Sequence, residues 1–290
     1  MNRTGPIPWG IVRIDLHTHS SVSDGTDSPT ELIAAARRAG LDVVALTDHD
    51  STAGWEEAAE AARAEGIALV RGTEISCKAG GVSVHLLSYL HDPQEPQLAR
   101  VLAASRESRL GRAREMVRRL APETGLTWEE VSAQAQEGAT IGRPHIADAL
   151  VARGVVADRG AAFETLLSAS GPYYVRYRAP EAAEAVRLVR RAGGVPVLAH
   201  PRAATRGRVV ADEVVREMAR AGLAGLESAH RDHTKQDRRH LHHLADELDL
   251  LTTGSSDYHG AGKPNQLGEH TTHAEVLALI EARGHLEVLR

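Results

Sequence analysis

The sequence predicts an α/β fold in which parallel strands close into a barrel and a group of helices is inserted into the chain. Three observations favour this fold. Short apolar runs alternate with helical patterns in residues 14–90 and again in residues 180–283. Most of these runs end at a histidine or a carboxylate, as expected where strand ends line one rim. Residues 96–169 instead show helical patterns without a clear strand.

The first third of the chain predicts three strands connected by two helices. The apolar run at Ile14 precedes residues 28–31 (SPTE), which combine a capping serine, a proline at the first helical position and an acid at the third. A helix is therefore expected from this point to Gly40. A second helix is expected over residues 52–65, before the next apolar run. Helices that connect successive strands indicate a parallel sheet.

The middle of the chain, residues 96–174, is predicted to be a helical insertion domain over the barrel rim. Residues 1–95 and 175–290 are assigned to the barrel domain. The expected helices of the insertion are residues 98–120, a capping-box helix that opens at Thr127 and stops at Gly138, one that starts at Pro144, and a shorter one over residues 161–167.

Beyond the insertion, strands and helices are expected to alternate again. Residues 173–177 are predicted to return the chain to the sheet, and a helix from Pro180 leads to a strand over residues 195–199. The last predicted helices cover residues 212–221, 233–247 and 273–283.

Nine side chains at the ends of the predicted strands form a candidate metal site: His17, His19, Asp24, His49, Glu74, His85, His200, Asp257 and His259. His17 and His19 share one face because side chains along a strand alternate with a period of two. His85 is expected at the end of a parallel strand over residues 82–84. Imidazoles and carboxylates without thiolates suit Zn, Mn or Fe(II). Nine groups exceed the needs of one ion, so two or three ions are expected.

Composition narrows the class of protein. The 290 residues carry a net charge of -5, which gives no overall field for a long nucleic acid. Cys77 is the only cysteine, so a disulfide within the chain and a thiolate cluster are excluded. No run approaches the ~18 apolar residues of a membrane span, and residues 1–10 lack the apolar core of a signal peptide. A cytoplasmic protein without membrane association is therefore expected.

The order of the strand-end motifs resembles the PHP (polymerase and histidinol phosphatase) family of metal-dependent phosphoesterases. The first motif is matched by residues 16–19 (LHTH) with Asp24, and the second by residues 47–49 (TDH). The third is matched by residues 72–75 (GTEI) with His85, and the last two by residues 199–201 (AHP) and 256–259 (SDYH). The resemblance spans most of the chain.

The resemblance implies a distorted (β/α)7 barrel, a TIM-like fold, with a trinuclear metal centre. Manganese is the first expectation, with iron, zinc or magnesium as alternatives. It implies that His17, His19, Glu74 and Asp257 hold the first ion, that Glu74 bridges to a second ion held by His85 and His200, and that Asp24, His49 and His259 hold the third. A hydroxide that bridges two ions would attack the phosphate ester.

The insertion carries candidate substrate-binding residues. Residues 141–147 (IGRPHIA) resemble the PHP subgroup of nucleoside 3′,5′-bisphosphate phosphatases and 5′-to-3′ exoribonucleases, which implies a small nucleotide or a short oligoribonucleotide as substrate. Arg143 can pair with phosphate, and His145 can bind phosphate or protonate the leaving oxygen. Lys263 is a further candidate phosphate contact. The plainer alternatives are an Arg143 that pairs with an acid and a Lys263 that is an ordinary loop residue.

Other functions stay open on the sequence alone. The substrate could be another small phosphomonoester such as histidinol phosphate, or the barrel could be a metal-binding regulatory module without turnover. Amide hydrolysis at a similar barrel metal site is a third alternative. Whether the protein has a protein partner is left open by the sequence.

Overall fold

Among the residues that the structure describes, seven strands form one sheet in which each strand pairs with the next one along the chain. Their bounds are β1 Ile14–Asp15, β2 Val43–Leu46, β3 Ala68–Ala79, β4 Val82–Tyr89, β5 Val195–Leu198, β6 Gly225–Ala229 and β7 Leu251–Gly254. The two edges of the sheet approach each other where Thr18 pairs with Tyr258. The predicted TIM-like α/β barrel, nearly closed, is confirmed.

This architecture is seen in a computed structural model that describes residues 12–136 and 138–290. The expectation for residues 1–10 falls outside the described residues. In the described ranges, no helix combines the length and the apolar character that crossing a membrane requires.

The direction of β4 corrects the sequence-based prediction. Strands β1 to β3 are parallel to one another, as are β5 to β7, but β4 runs antiparallel to both β3 and β5. Gly80 and Gly81 have φ angles of 55° and 79°, and Ala79 pairs with Val82 across them. Two glycines with positive φ form the tight turn of a β-hairpin. His85 therefore lies in the middle of an antiparallel strand and not at the end of a parallel one.

Helices connect the strands of the barrel and fill the insertion. Their bounds are α1 Pro29–Arg38, α2 Trp55–Glu65, α3 Pro96–Thr124, α4 Trp128–Ser132, α5 Arg143–Ala152, α6 Arg159–Glu164, α7 Ala182–Arg191, α8 Asp212–Arg220, α9 Lys235–Leu248 and α10 Ala274–Arg283. The predicted caps are present: the side chains of Ser28 and Thr127 accept from the backbone at the third helical residue, and the acid there bonds back.

Two predictions in the insertion are wrong in detail. The helix that opens at Thr127 ends at Ser132 and does not continue to Gly138. Residues 173–177 form no strand, and among the described residues after the insertion the chain first pairs with the sheet where Glu181 meets Lys78. The tyrosines of this segment lie against arginines instead, with Arg112 over Tyr177 and Arg143 near Tyr174.

The apolar interior is divided between the barrel and the helices that follow β4. One buried cluster joins side chains from five strands, among them Ile14, Val70 and Val197. Helices α3 and α5 share a separate cluster that includes Met116 and Ile146. Because burial of apolar surface is the main stabilising term, this separate cluster supports the proposed insertion domain over residues 96–174. The start of α3 packs on the barrel instead, where Leu98 and Leu102 share a cluster with Ile75 and Leu86.

Candidate metal centre

The fold brings all nine predicted ligands to one place, although Glu74, predicted at a strand end, lies inside the long strand β3. Three groups of side chains have ligand atoms within 4.8 Å of one another: His17, His19, Glu74 and Asp257; His19, Asp24, His49 and His259; and His49, Glu74 and His85. The ninth residue, His200, lies beside them, with its Nε2 3.1 Å from Oε1 of Glu74. The antiparallel β4 does not remove His85, because its register places this residue opposite Ser76, close to Glu74.

Glu74 lies at the centre of the cluster and divides its two oxygens between different histidines. Its Oε1 is 2.7 Å from Nδ1 of His85 and 3.1 Å from Nε2 of His200. Its Oε2 is 3.1 Å from Nε2 of His19 and 3.2 Å from Nδ1 of His49. A carboxylate with its oxygens turned to two separate sets of ligands has the geometry of a bridge between two cations.

Unusual backbone conformations direct two of the candidate ligands. His200 has a φ of 30° directly after β5, and Asp257 has a φ of 55° beyond the end of β7. Non-glycine residues with positive φ are uncommon and cost free energy, so they are retained where the surrounding structure or function requires them. With these conformations both side chains reach the cluster, His200 at Glu74 and Asp257 at His17.

Buried acids behind the cluster fix the orientation of the ligands. Glu227 on β6 accepts from Nδ1 of His17 at 3.1 Å and from the backbone N–H of His200 at 2.8 Å. Asp48 accepts from Oγ of Ser23 at 2.6 Å, and this Oγ lies 3.4 Å from Nδ1 of His19. Such partners set the tautomer and direction of a metal-binding imidazole. Sequence analysis missed Glu227, although an acid inside an apolar strand is a detectable signal.

The pKa values of the buried groups in the cluster shift in different directions. Burial alone lowers the pKa of His19, but hydrogen bonds with Asp257 and Glu74 raise it to about 9. Burial, together with the charge of Arg206, lowers the pKa of His200 to about 3. The pKa of Glu74 is well below its usual value, because the neighbouring histidines, His85 first, outweigh the effect of burial. The carboxylates are thus ionised at neutral pH and attract cations.

The donor atoms fit divalent cations. Nδ1 of His49 and Nε2 of His259 are buried and make no hydrogen bond to any described residue. Carboxylate oxygens nevertheless lie close, at 3.2 Å from the first nitrogen and 3.3 Å from the second. Nε2 of His17 and Nε2 of His19 face each other at 3.0 Å. Nitrogens that converge with carboxylates but lack hydrogen bonds match ligands that share an ion, and the set suits Mn, Fe or Zn.

The three predicted substrate-binding residues occupy different positions. Nζ of Lys263 lies 3.0 Å from Oδ2 of Asp257, so this residue is part of the cluster. Arg143 starts α5, donates to the carbonyl of Leu167 at 3.2 Å, and has no carboxylate within 4 Å among the described residues. His145 is buried, and its Nδ1 accepts from the backbone N–H of Gly142 at 3.2 Å.

Two buried arginines that sequence analysis missed join Arg143. Arg109 donates to Oγ of Ser76 at 2.8 Å, and its guanidinium lies 3.6 Å from Asp50. Arg112 lies 4.5 Å from the ring centre of Tyr177 and has no acid within ion-pair distance in the described part of the chain. Burial, followed by the charges of Arg143 and Arg109, lowers the pKa of Arg112 to about 10. Three neighbouring guanidinium groups, with Asp50 as the one acid within ion-pair distance among the described residues, form a strong site for an anion.

Comparison with known proteins decides the family. A model described as PHP domain matches residues 15–141. A 3′,5′-nucleoside bisphosphate phosphatase from Chromobacterium violaceum is 37% identical, over 90% of this chain and 92% of its own. The chain belongs to the PHP family. This PHP protein is also 35% identical to a 5′-3′ exoribonuclease from Haemophilus influenzae, over 85% of this chain and 90% of the relative.

Solved structures agree with this assignment. A Bifidobacterium adolescentis protein described as a candidate metal-dependent phosphoesterase superimposes with a TM-score of 0.92 and 44% identity, over 95% of this chain and 97% of the other. A Chromobacterium violaceum structure described as an amidohydrolase with bound sulfate and no metal has a TM-score of 0.85 and 34% identity, covering 96% and 98%. The sequence-based prediction of a PHP metal-dependent phosphoesterase is confirmed.

Proposed function

We propose that this PHP protein hydrolyses either a phosphate monoester of a small nucleotide, namely a nucleoside 3′,5′-bisphosphate or monophosphate, or the 5′ end of a short oligoribonucleotide. The observation that carries the proposal is a cluster of imidazoles and carboxylates that Arg109 connects to arginines without acids. Arg109 donates to Ser76, which pairs with His85 across the hairpin, and its charge helps to lower the pKa of the buried Arg112. A phosphate ester needs cations at its reacting phosphorus and further cations for its remaining charge. The names of the relatives from Chromobacterium and Haemophilus support this substrate class.

The metal ligands are the nine residues of the cluster. We propose that they hold two or three divalent ions, with manganese first and iron, zinc or magnesium as alternatives. Bound ions would activate water and neutralise phosphoryl oxygens. Glu74 is placed to join two ion sites, since its oxygens face separate histidines.

The arginines of the insertion are proposed to bind the substrate. A planar guanidinium matches two phosphate oxygens at once, and the rings beside Arg112 and Arg143 help to orient these groups. Among the described residues, neither Arg112 nor Arg143 has an acid within ion-pair distance, whereas Arg109 lies 3.6 Å from Asp50. Lys263 is proposed as a further phosphate contact, which would require its amine to leave Asp257 or to share it with the substrate.

His145 is proposed to contact the leaving group. Its Nδ1 is fixed by the N–H of Gly142, so a neutral ring carries its proton on Nε2. Burial lowers the pKa of His145, which favours this neutral form. The ring can therefore donate a hydrogen bond to an oxygen of the substrate. We also place the reaction in the cytoplasm, a proposal that rests on the nucleotide substrate class.

A substrate panel tests the proposal. The purified chain is stripped with a chelator and reloaded with Mn²⁺, and phosphate release is measured from nucleoside 3′,5′-bisphosphates, nucleoside monophosphates, 5′-phosphorylated tetranucleotides and histidinol phosphate. A small amide substrate is included because one similar structure is described as an amidohydrolase. We expect turnover on nucleotides to exceed that on histidinol phosphate. Metal-loaded protein that turns over no phosphate ester, or that prefers the amide, would overturn the proposal.

A further inference from the structure

The two carboxylate oxygens of Asp257 face different environments. Oδ1 lies 3.4 Å from Nε2 of His17 and 3.4 Å from Nε2 of His19, within the proposed metal cluster. Oδ2 points the other way and lies 2.7 Å from Nη2 of Arg206 and 3.0 Å from Nζ of Lys263. The carboxylate is 1% exposed, so protein groups fix its orientation. Only one oxygen is thereby presented to the cluster.

Arg206 is itself fixed at a second point. Its Nε donates to Oδ2 of Asp232 at 2.7 Å while its Nη2 donates to Asp257. The residue ends a single 3-10 turn, Ala204–Arg206, that follows β5. A guanidinium has donors in a rigid plane, so attachment at Asp232 determines where Nη2 lies. Lys263 contacts the same oxygen of Asp257 through a flexible chain and has no second acid within 4 Å among the described residues.

We propose that Arg206 is a positioning residue that orients Asp257 so that Oδ1 alone binds metal. The inference rests on the metal centre of the proposed function and adds a residue that acts through a ligand. Two effects of Arg206 on metal affinity oppose each other. Its positive charge repels a cation, whereas its hold on Oδ2 keeps Oδ1 in place. The sign of the change on removing Arg206 therefore tells which effect dominates.

Titration of the full chain with Mn²⁺ shows whether the loss of Arg206 lowers or raises the metal affinity. Free Mn²⁺ is followed by electron paramagnetic resonance during titration of the chelator-stripped protein without substrate. Loss of a group that orients a metal ligand lowers affinity about 10- to 100-fold, and we expect this weakening for Arg206→Ala. Lys263→Ala is the matched control, because it removes one charge from the same oxygen without breaking a two-point attachment. We expect it to leave the affinity unchanged or to raise it.

Two further variants separate orientation from charge. Arg206→Lys keeps the charge but lacks the planar fork, and we expect its affinity for Mn²⁺ to be as low as that of Arg206→Ala. Asp232→Asn loosens the far end of Arg206 without touching Asp257, and we expect an intermediate loss. Full affinity in Arg206→Lys, or unchanged or tighter binding in Arg206→Ala, overturns the inference. The inference is also overturned if Asp232→Asn binds Mn²⁺ with the affinity of the native chain. Circular dichroism checks folding, and Asp232→Asn carries the test should Arg206→Ala fail to fold. A native chain that binds no Mn²⁺ would instead refute the metal centre itself.

Discussion

The barrel rim carries buried carboxylates, whereas helices α3 and α5 of the insertion carry arginines, so the two regions differ in the sign of their charge. At the rim, carboxylates such as Glu74 and Asp257 are buried among imidazoles, and their ionised forms are stabilised by these neighbours. On the insertion, the buried Arg112 and the half-buried Arg143 lie near aromatic rings, with no carboxylate within ion-pair distance in the described residues. The rim is therefore suited to hold cations and the insertion to hold an anion, which is what a phosphate ester between them requires.

The largest expected effect comes from the centre of the rim. Glu74→Gln removes the charge whose two oxygens serve separate histidines. Loss of metal assistance is worth several kcal/mol, so we expect kcat/KM to fall by roughly 10³-fold or more, with fewer bound ions per chain. Steady-state kinetics and elemental analysis measure both. Glu65→Gln, at the exposed end of α2, is the control. Native metal content in the Glu74 variant would contradict the assignment.

Removing the arginines of the insertion should weaken catalysis on the substrate but leave metal binding unchanged. Removing a charged hydrogen-bond donor costs about 1.5–3 kcal/mol, so Arg112→Ala and Arg143→Ala should each lower kcat/KM for a nucleoside bisphosphate by roughly 10- to 100-fold. Bound manganese should stay at the native level. Arg118→Ala is the matched control, because Arg118 lies on the same helix as Arg112 with its side chain 73% exposed. If the metal content fell together with activity, the two regions would not be separate in function.

The affinity of the rim for manganese should rise with pH. Although burial opposes it, hydrogen bonds with Asp257 and Glu74 raise the pKa of His19 to about 9 in the metal-free chain. A metal binds the neutral imidazole, so at pH 7 binding must displace this proton. Displacement of the His19 proton alone gives up to about tenfold per pH unit below 9. His17 adds to this slope, because its pKa, despite burial, is raised well above the usual value by Glu74, Glu227 and Asp257. Manganese titrations between pH 6 and 9.5 measure this slope, and a flat profile would argue against the protonated His19.

The smallest expected effect concerns the stability of the insertion alone. Thr127→Ala removes the capping box of α4, in which Thr127 and Glu130 bond reciprocally. Loss of such a cap costs about 1 kcal/mol, and the midpoint of thermal unfolding should fall by a few degrees. Manganese affinity should not change. A weakened metal site in this variant would show that the two regions are more tightly coupled than their separate apolar clusters suggest.

The sequence predicted the rim better than its surroundings. His17 and His49 follow strands whose parallel partners end at the same edge, so local pattern was enough to place them. The direction of β4 was missed, although the Gly80–Gly81 pair between two alternating runs is a hairpin signal. Arg112 and Arg206 could not be selected, because the sequence does not show which arginines become buried or which acids face them. Their environment arises only from tertiary packing.

The β3–β4 hairpin joins the two regions mechanically. It carries His85, and it also binds the chain that leaves the insertion, through the N–H of Lys78 to the carbonyl of Pro180 at 2.9 Å and through Ser83 to the hydroxyl of Tyr177 at 3.0 Å. Grafting the helical segment of another protein onto this barrel would therefore need to preserve these two anchor points. A graft without them would let a metal-site histidine drift, even though every ligand in the recipient scaffold had been kept.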